Sequence, residues 1–275
     1  GVPVIVGSDA AFSTPSQAEA WIDDPSNSIT YPVIVKAAMG GGGRGIRIVP
    51  TKDDLESMFR LASNEALNAF GDGRCFVEKY VDRPRHIEVQ CLGDGTGNVI
   101  HLFDRDCSVQ RRHQKVIETA PATGLSRETR EKIFQDACRL LALNNYRNAG
   151  TVEFLVDKDG NHFFMEVNPR VQVEHVSLYS EMHYLLFSCP SILTHISPLL
   201  KKNPQTITEE ITGFDIVQNQ IMIASGKTLP ELGLIQEAIE EPTSYAMQCR
   251  VTTENPALDF RPDTGTIDVF RMPCG

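Results

Sequence analysis

Residues 150–175 read GTVEFLVDKDGNHFFMEVNPRVQVEH, and the alternation of apolar with polar residues leaves this stretch little freedom. A repeat of two is the side-chain period of a β-strand, so neighbouring residues must face opposite sides of a sheet. Between the alternating runs, DKDGN supplies the Asp and Gly of a tight turn, which predicts a hairpin. Val152, Phe154 and Val156 on one arm, and Phe163, Met165 and Val167 on the other, are expected to share the core face. Glu153 and Glu166 then project together from the opposite face. Like charges opposed across a ladder destabilise a sheet, so the pair makes sense with a divalent cation between them. The alternative is two independently solvated glutamates.

The polar face continues beyond the hairpin. Glu166, Asn168, Arg170, Gln172 and Glu174 occupy successive even positions, with Val167, Val171 and Val173 between them. Arg170 offers a planar fork suited to a carboxylate-like anion, and Glu174 beside that anion is placed to act as a general base. A second cluster, DCSVQRRHQKVIE (106–118), gathers Gln110, Arg111, Arg112, His113 and Lys115. In a chain of net charge −10 it is a local positive island fit for phosphate and anion, with a solvated turn as the bland alternative. The same net charge argues against nucleic acid as a partner.

GGGGRG (40–45) satisfies the pattern of a dinucleotide-binding glycine loop, but IRIVP follows it, and that is a strand rather than the required helix. A glycine loop joining two strands is instead a flap whose backbone N–H groups can lie over phosphates. Lys36, just upstream, is placed to reach a phosphate as a point charge. Oxygen-only donors at Glu153 and Glu166, in a site that also takes phosphate, point to Mg²⁺ or Mn²⁺.

Strands are expected at 32–38, 46–49, 75–81, 86–92 and 98–104, with helices capped by Thr51 and by Ser126 and a third from about Thr212. That third helix should bury Phe214, Ile216, Val217, Ile221 and Ile223. Helices mixed with hairpins indicate an α+β fold. Seven scattered cysteines without a CxxC pair fit reduced thiols inside a cell, and no apolar run is long enough to span a bilayer. A first residue of Gly rather than Met suggests a fragment or a processed chain.

KAAMGGGGRG, FVEKYVDRPRHIEVQ, DCSVQRRHQKVIETAP, GTVEFL and MEVNPRVQVEH, in this order, resemble the ATP-grasp family and, within it, the biotin carboxylase component of biotin-dependent carboxylases. YRNAGTVEFL and QCRVTTENPALDFRPDTGTI most resemble the pyruvate-carboxylating branch. The resemblance implies an ATP-grasp domain over 1–236, with a lid at about 10–80, and part of a C-terminal domain over 237–275. It implies ATP-dependent carboxylation of biotin with bicarbonate through carboxyphosphate. By position, Lys36, Gly42 and Gly43 resemble the phosphate contacts, while Glu78, Lys79 and Val81 resemble the adenine hinge. His86, Gln110 and His113 complete the nucleotide side, and Glu153, Glu166 and Asn168 resemble the metal site. Lys115, Arg170, Gln172 and Val173 resemble the bicarbonate pocket, with Glu174 as its base and Arg250 steadying biotin's developing enolate oxygen.

Biotin would come on a carrier domain absent from this chain, and a homo-oligomer is expected of the complete enzyme. The implied compartment is the cytoplasm or, alternatively, the mitochondrial matrix. The family's N-terminal domain with its further ATP lysine and the Ala-Met-Lys-Met biotin acceptor do not occur, and Asn255 stands where an acidic residue is usual. An acyl-CoA carboxylase component, a carbamoyl-phosphate synthetase and an inactive nucleotide-binding fragment remain as rival readings.

Residues 176–205 break the pattern. Thirty residues hold three full charges, Glu181, Lys201 and Lys202, and three prolines, Pro190, Pro198 and Pro204. Natural loops are usually polar and built from turn residues, whereas prolines leave little room for an amphipathic helix. Removing the segment joins NPRVQVEH to TITEEITGFDIV, the way the family's sequence ordinarily runs. Val176-Ser177 is what a GTAAGT donor site encodes, and Gln205 is consistent with a CAG acceptor end, which makes a translated intron the expectation. Sequencing of the mature transcript should therefore find a message lacking these thirty codons. A main transcript that retains them and yields an active carboxylase would refute the reading.

Overall fold

The computed structural model describes residues 1–39, 45–111, 114–172, 207–258, 260–264, 266, 269 and 271. Two antiparallel sheets organise most of them, beside a two-stranded antiparallel ladder of Glu254–Asn255 with Arg261–Pro262. The smaller has the order β2-β1-β3, with β1 at Val33–Ala37, β2 at Ile46–Val49 and β3 at Cys75–Lys79. Helices α1 (Pro15–Ile22) and α2 (Leu55–Phe70) cover one face of it. Thr14 caps α1 through a reciprocal capping box with Gln17, and Gly71 closes α2 in the left-handed conformation that glycine adopts most readily. Thr51 does not cap α2 as the sequence suggests. A 3₁₀ turn at Lys52–Asp54 intervenes, and the Thr51 hydroxyl bonds Asp54 instead. Phe59, Val33, Val35 and Val77 are fully buried in the core of this unit.

The larger sheet has six strands in the order β8-β7-β4-β5-β6-β9, all antiparallel. They are β4 (Arg85–Asp94), β5 (Val99–Arg111), β6 (Gln114–Ala120), β7 (Arg147–Val156), β8 (His162–Asn168) and β9 (Ala246–Cys249). Helix α3 (Arg127–Leu143), capped by Ser126 as expected, lies against Ile87, Val89, Cys91, Val152, Phe154 and Val156. Period-two alternation sends the intervening residues of β4 to the far face. Leu92 there joins Ile216 and Ile223 of α5 (Ile216–Ala224), whereas Glu88 and Gln90 form a buried polar patch. The short helix α4 (Ile207–Thr212) packs against Ala120 beside that patch. Asp215, not Thr212, caps α5, and Ile221 is 62% exposed, so the expected apolar side of this helix is narrower than its sequence implies.

The hairpin of β7 and β8 forms, with one correction. The register passes from Glu153↔Glu166 to Phe154↔Phe164, so Met165 is the extra residue of a bulge. Phe164 and Val167 therefore pack on the core, while Met165 is 40% exposed. The bulge shifts the alternation by one residue and leaves Glu166 directly across from Glu153. The N-terminal run ties both sheets together. Phe164 N donates to Pro3 O, and Lys79 N donates to Val6 O. Among the described residues, no helix is long and apolar enough to cross a membrane. Residues 176–205 lie outside the described residues.

The two sheets have separate cores, so a cavity in one should leave the other intact. Phe59→Ala is expected to cost about 3–5 kcal/mol, the usual effect of emptying a buried phenylalanine site. Hydrogen exchange should locate the loss in β1 and β3 while β4 and β7 keep their protection.

Candidate functional site

One row of residues runs across four strands on the face away from α3. Arg105 of β5 pairs in register with Glu88 of β4, Glu88 with Glu153 of β7, and Glu153 with Glu166 of β8. A positive charge is thus followed by three carboxylates on neighbouring strands. Unrelieved, that sequence of like charges would oppose the sheet.

Side chains from the flanking rows relieve it. Lys115, reaching in from β6, places Nζ 3.0 Å from Glu153 Oε1 and against Glu88 Oε1. Burial lowers the affinity of Lys115 for its proton, but Glu88 and Glu153 prevail and push its pKa above the usual lysine range. The reverse holds for Glu88. Burial raises its pKa, and Arg105, Lys115 and His86 overcome that to hold it at about 2. Glu153, 3% exposed, takes further hydrogen bonds from Asn168 Nδ2 at 2.6 Å and Gln172 Nε2 at 3.5 Å. His86 lies 2.6 Å from Glu153 Oε2 through Nε2, and Gln110 Nε2 donates to its Nδ1 at 2.8 Å. With Nδ1 accepting, it is the Nε2–H that donates to Glu153 Oε2.

The structure therefore brings together His86, Gln110, Lys115, Glu153, Asn168 and Gln172 from the set expected on sequence. Glu166 faces them from β8, exposed and without a hydrogen bond or ion pair among the described residues. Lys36 of β1 pairs with Glu78 of β3 in the smaller sheet, where Lys79 ends the strand and Val81 follows. Arg170 is exposed and, among the described residues, donates only to the Val171 carbonyl, 3.2 Å away, outside the cluster. Arg250 follows β9 and donates its backbone N–H to Val116 O, next to Lys115. Gly42, Gly43, His113, Val173 and Glu174 lie outside the described residues.

Sequence reasoning overlooked Glu88 and Arg105. The signal was present in HIEVQ, whose His86, Glu88 and Gln90 alternate as Glu166 and Asn168 do. His86, Glu88 and Glu153 also form, among the described residues, a group whose ligand atoms lie within 4.8 Å of one another. The donor set fits Mg²⁺ or Mn²⁺. Glu153 is buried and anchored by its hydrogen bonds, and Glu166 opposite it is an open carboxylate with no protein partner among the described residues.

Residues 1–182 match the family model of the carbamoyl-phosphate synthase L chain, ATP binding domain. The chain is 49% identical to pyruvate carboxylase from Pichia angusta over 274 residues and 51% identical to pyruvate carboxylase 1 from Caenorhabditis elegans over 275. Each match covers all of this chain and 20% of the relative, so the chain spans about a fifth of these proteins. Among solved structures it is similar to the biotin carboxylase domain dimer of Hydrogenobacter thermophilus 2-oxoglutarate carboxylase in complex with MgADP, ADP and bicarbonate. That similarity has a TM-score of 0.79 at 40% identity and covers 100% of this chain and 52% of the other.

Because Glu88 is held at about 2 from an ordinary value of 4.5, its contribution to stability is complete above pH 4.5 and is lost as pH falls toward 2. Urea melts across this window should show Glu88→Gln to be less stable at neutral pH, since Arg105 and Lys115 lose their carboxylate. The variant's stability should also fall less steeply with acid than the wild type's.

Proposed function

The chain belongs to the family of the carbamoyl-phosphate synthase L chain ATP-binding domain, and on that footing we propose that it carries out ATP-dependent carboxylation of biotin with bicarbonate, as the first half-reaction of a pyruvate carboxylase. The observation that supports this most is Lys115, an ammonium held between two glutamates on a face that also carries a metal-type carboxylate pair. Such a site suits the meeting of a phosphoryl group with a small anion. The bicarbonate and MgADP of the similar biotin carboxylase domain fit the same reading.

In this reading Lys36, with Gly42 and Gly43, takes the phosphates of ATP, while Glu78, Lys79 and Val81 line the adenine side with His86, Gln110 and His113. Glu153, Glu166 and Asn168 would hold Mg²⁺ or Mn²⁺, which when bound neutralises charge on the phosphoryl oxygens. Lys115, Arg170, Gln172 and Val173 hold bicarbonate, and Glu174 takes its proton. The freed oxygen attacks the γ-phosphorus, ADP leaves, and carboxyphosphate forms behind a lid drawn from about residues 10–80. Carboxyphosphate then splits into CO₂ and phosphate, the phosphate takes the ureido N–H proton of biotin and the nitrogen bonds the CO₂ carbon, with Arg250 offering positive charge to the ureido oxygen. Biotin arrives on a carrier domain. Association of two copies is proposed from the dimer of the similar domain.

Bicarbonate-dependent cleavage of ATP by the protein carrying this sequence tests the reading. Lys115→Met and Glu153→Gln should each lower it about 10²–10³-fold, as loss of one preorganised electrostatic group does. Glu153→Gln should also weaken Mn²⁺ binding measured by electron paramagnetic resonance. ATP cleavage indifferent to bicarbonate would overturn the proposal.

A further inference from the structure

Arg105 touches none of the groups that the proposed reaction transforms, yet its position governs several that do. It is 1% exposed, and its two terminal nitrogens meet five acceptors. Nη1 donates to Gln90 Oε1 and Thr208 Oγ1, each at 2.9 Å. Nη2 lies 2.8 Å from Gln172 Oε1, 3.1 Å from Glu88 Oε2 and 3.2 Å from Thr151 Oγ1. A guanidinium carries donors only, and that fact orients whatever surrounds it.

Two of these contacts reach the anion side of the site. Glu88 gives Oε2 to Arg105 and Oε1 to Lys115, so its carboxylate is bridged between a fixed buried cation and a cation facing the site. Turning that carboxylate would break both contacts. Gln172 must present its carbonyl oxygen to Arg105, which leaves Nε2 to donate to Glu153. One side chain behind them thus sets the rotamer of Gln172 and, through Glu88, one of the two carboxylates that hold Lys115. Thr208, on the returning stretch of chain, is held by the same guanidinium.

We propose that Arg105 is a positioning residue of the bicarbonate pocket, fixing Lys115 through Glu88 and Gln172 directly. This deepens the functional reading above and rests on it. Its charge alone is not sufficient, because an ammonium is a compact point charge without the planar fork that spans Glu88, Gln172 and Thr208 together.

Arg105→Lys keeps the charge and removes the fork. It should raise the KM for bicarbonate about tenfold in bicarbonate-dependent ATP cleavage, while the Kd for MgATP stays within about twofold. Its crystal structure should show Glu88 or the Gln172 amide turned away from the positions described here. A smaller folded fraction with both constants unchanged, or a crystal structure with Glu88, Lys115 and Gln172 all unmoved, would overturn the proposal.

Should Arg105→Lys fail to fold, Arg105→Met with Glu88→Gln removes the buried pair at similar volume and is compared with Glu88→Gln alone. A further rise of about tenfold in the bicarbonate KM of the double variant is expected, because Gln172 has lost its donor. Equal values would mean that Arg105 serves only to neutralise Glu88, and the proposal falls. A wild-type protein indifferent to bicarbonate refutes the functional reading, and the crystal comparison still decides whether Arg105 sets Lys115 and Gln172.

Discussion

The guanidinium of Arg105 cannot shed its proton, and it lies at the centre of a six-stranded sheet out of reach of water. Burying such a charge costs several kcal/mol unless partners compensate it. The compensation supplied here is Glu88, and Glu88 in turn creates the row of carboxylates that Lys115, His86 and Asn168 must balance. Polar residues on β4, β5, β6, β7 and β8 therefore answer to one another. The polar part of the sheet face opposite α3 is a connected network around Arg105, Glu88, Lys115 and Glu153, in which removal of one of these leaves another buried group without its counterpart.

Both lysines expected to meet anions are already engaged. Lys36 is paired with Glu78, and Lys115 with Glu88 and Glu153. A ligand arriving at either lysine competes with a carboxylate of the same protein, so part of its binding energy goes into replacing an existing ion pair. Such pairs hold the cations in place in the absence of ligand, and they disfavour anions too weakly charged to displace a glutamate.

The hairpin of β7 and β8 was legible because strict alternation has one structural meaning, and Ser126 was legible as a cap because a hydroxyl before an apolar run has few other uses. The role of Glu88 was not. It pairs with Arg105 on the next strand, and nothing in HIEVQ or FDRDC states the register that brings them together. The bulge at Met165 was equally hidden. Phe163 and Phe164 are both apolar, so HFFMEVN reads as well in either phase. Helix α4 is too short for its periodicity to be recognised, although its Thr208 reaches the buried guanidinium.

The bulge in β8 has an evolutionary corollary. Phe164 and Val167 both pack on the core although three positions separate them, and Glu166 keeps its place opposite Glu153 only because Met165 absorbs the odd residue. Substitutions at Met165 should drift more freely among lineages than those at Phe164 or Val167, since its side chain is exposed and packs on neither core. Loss of that one codon should be accepted as well, because Phe164 opposite Phe154 and Glu166 opposite Glu153 would then follow one another in regular alternation with both registers kept. A length change anywhere else in this strand would turn Phe164 or Glu166 to the wrong face, so where a residue is gained or lost in β8 is expected to matter more to its inheritance than whether one is.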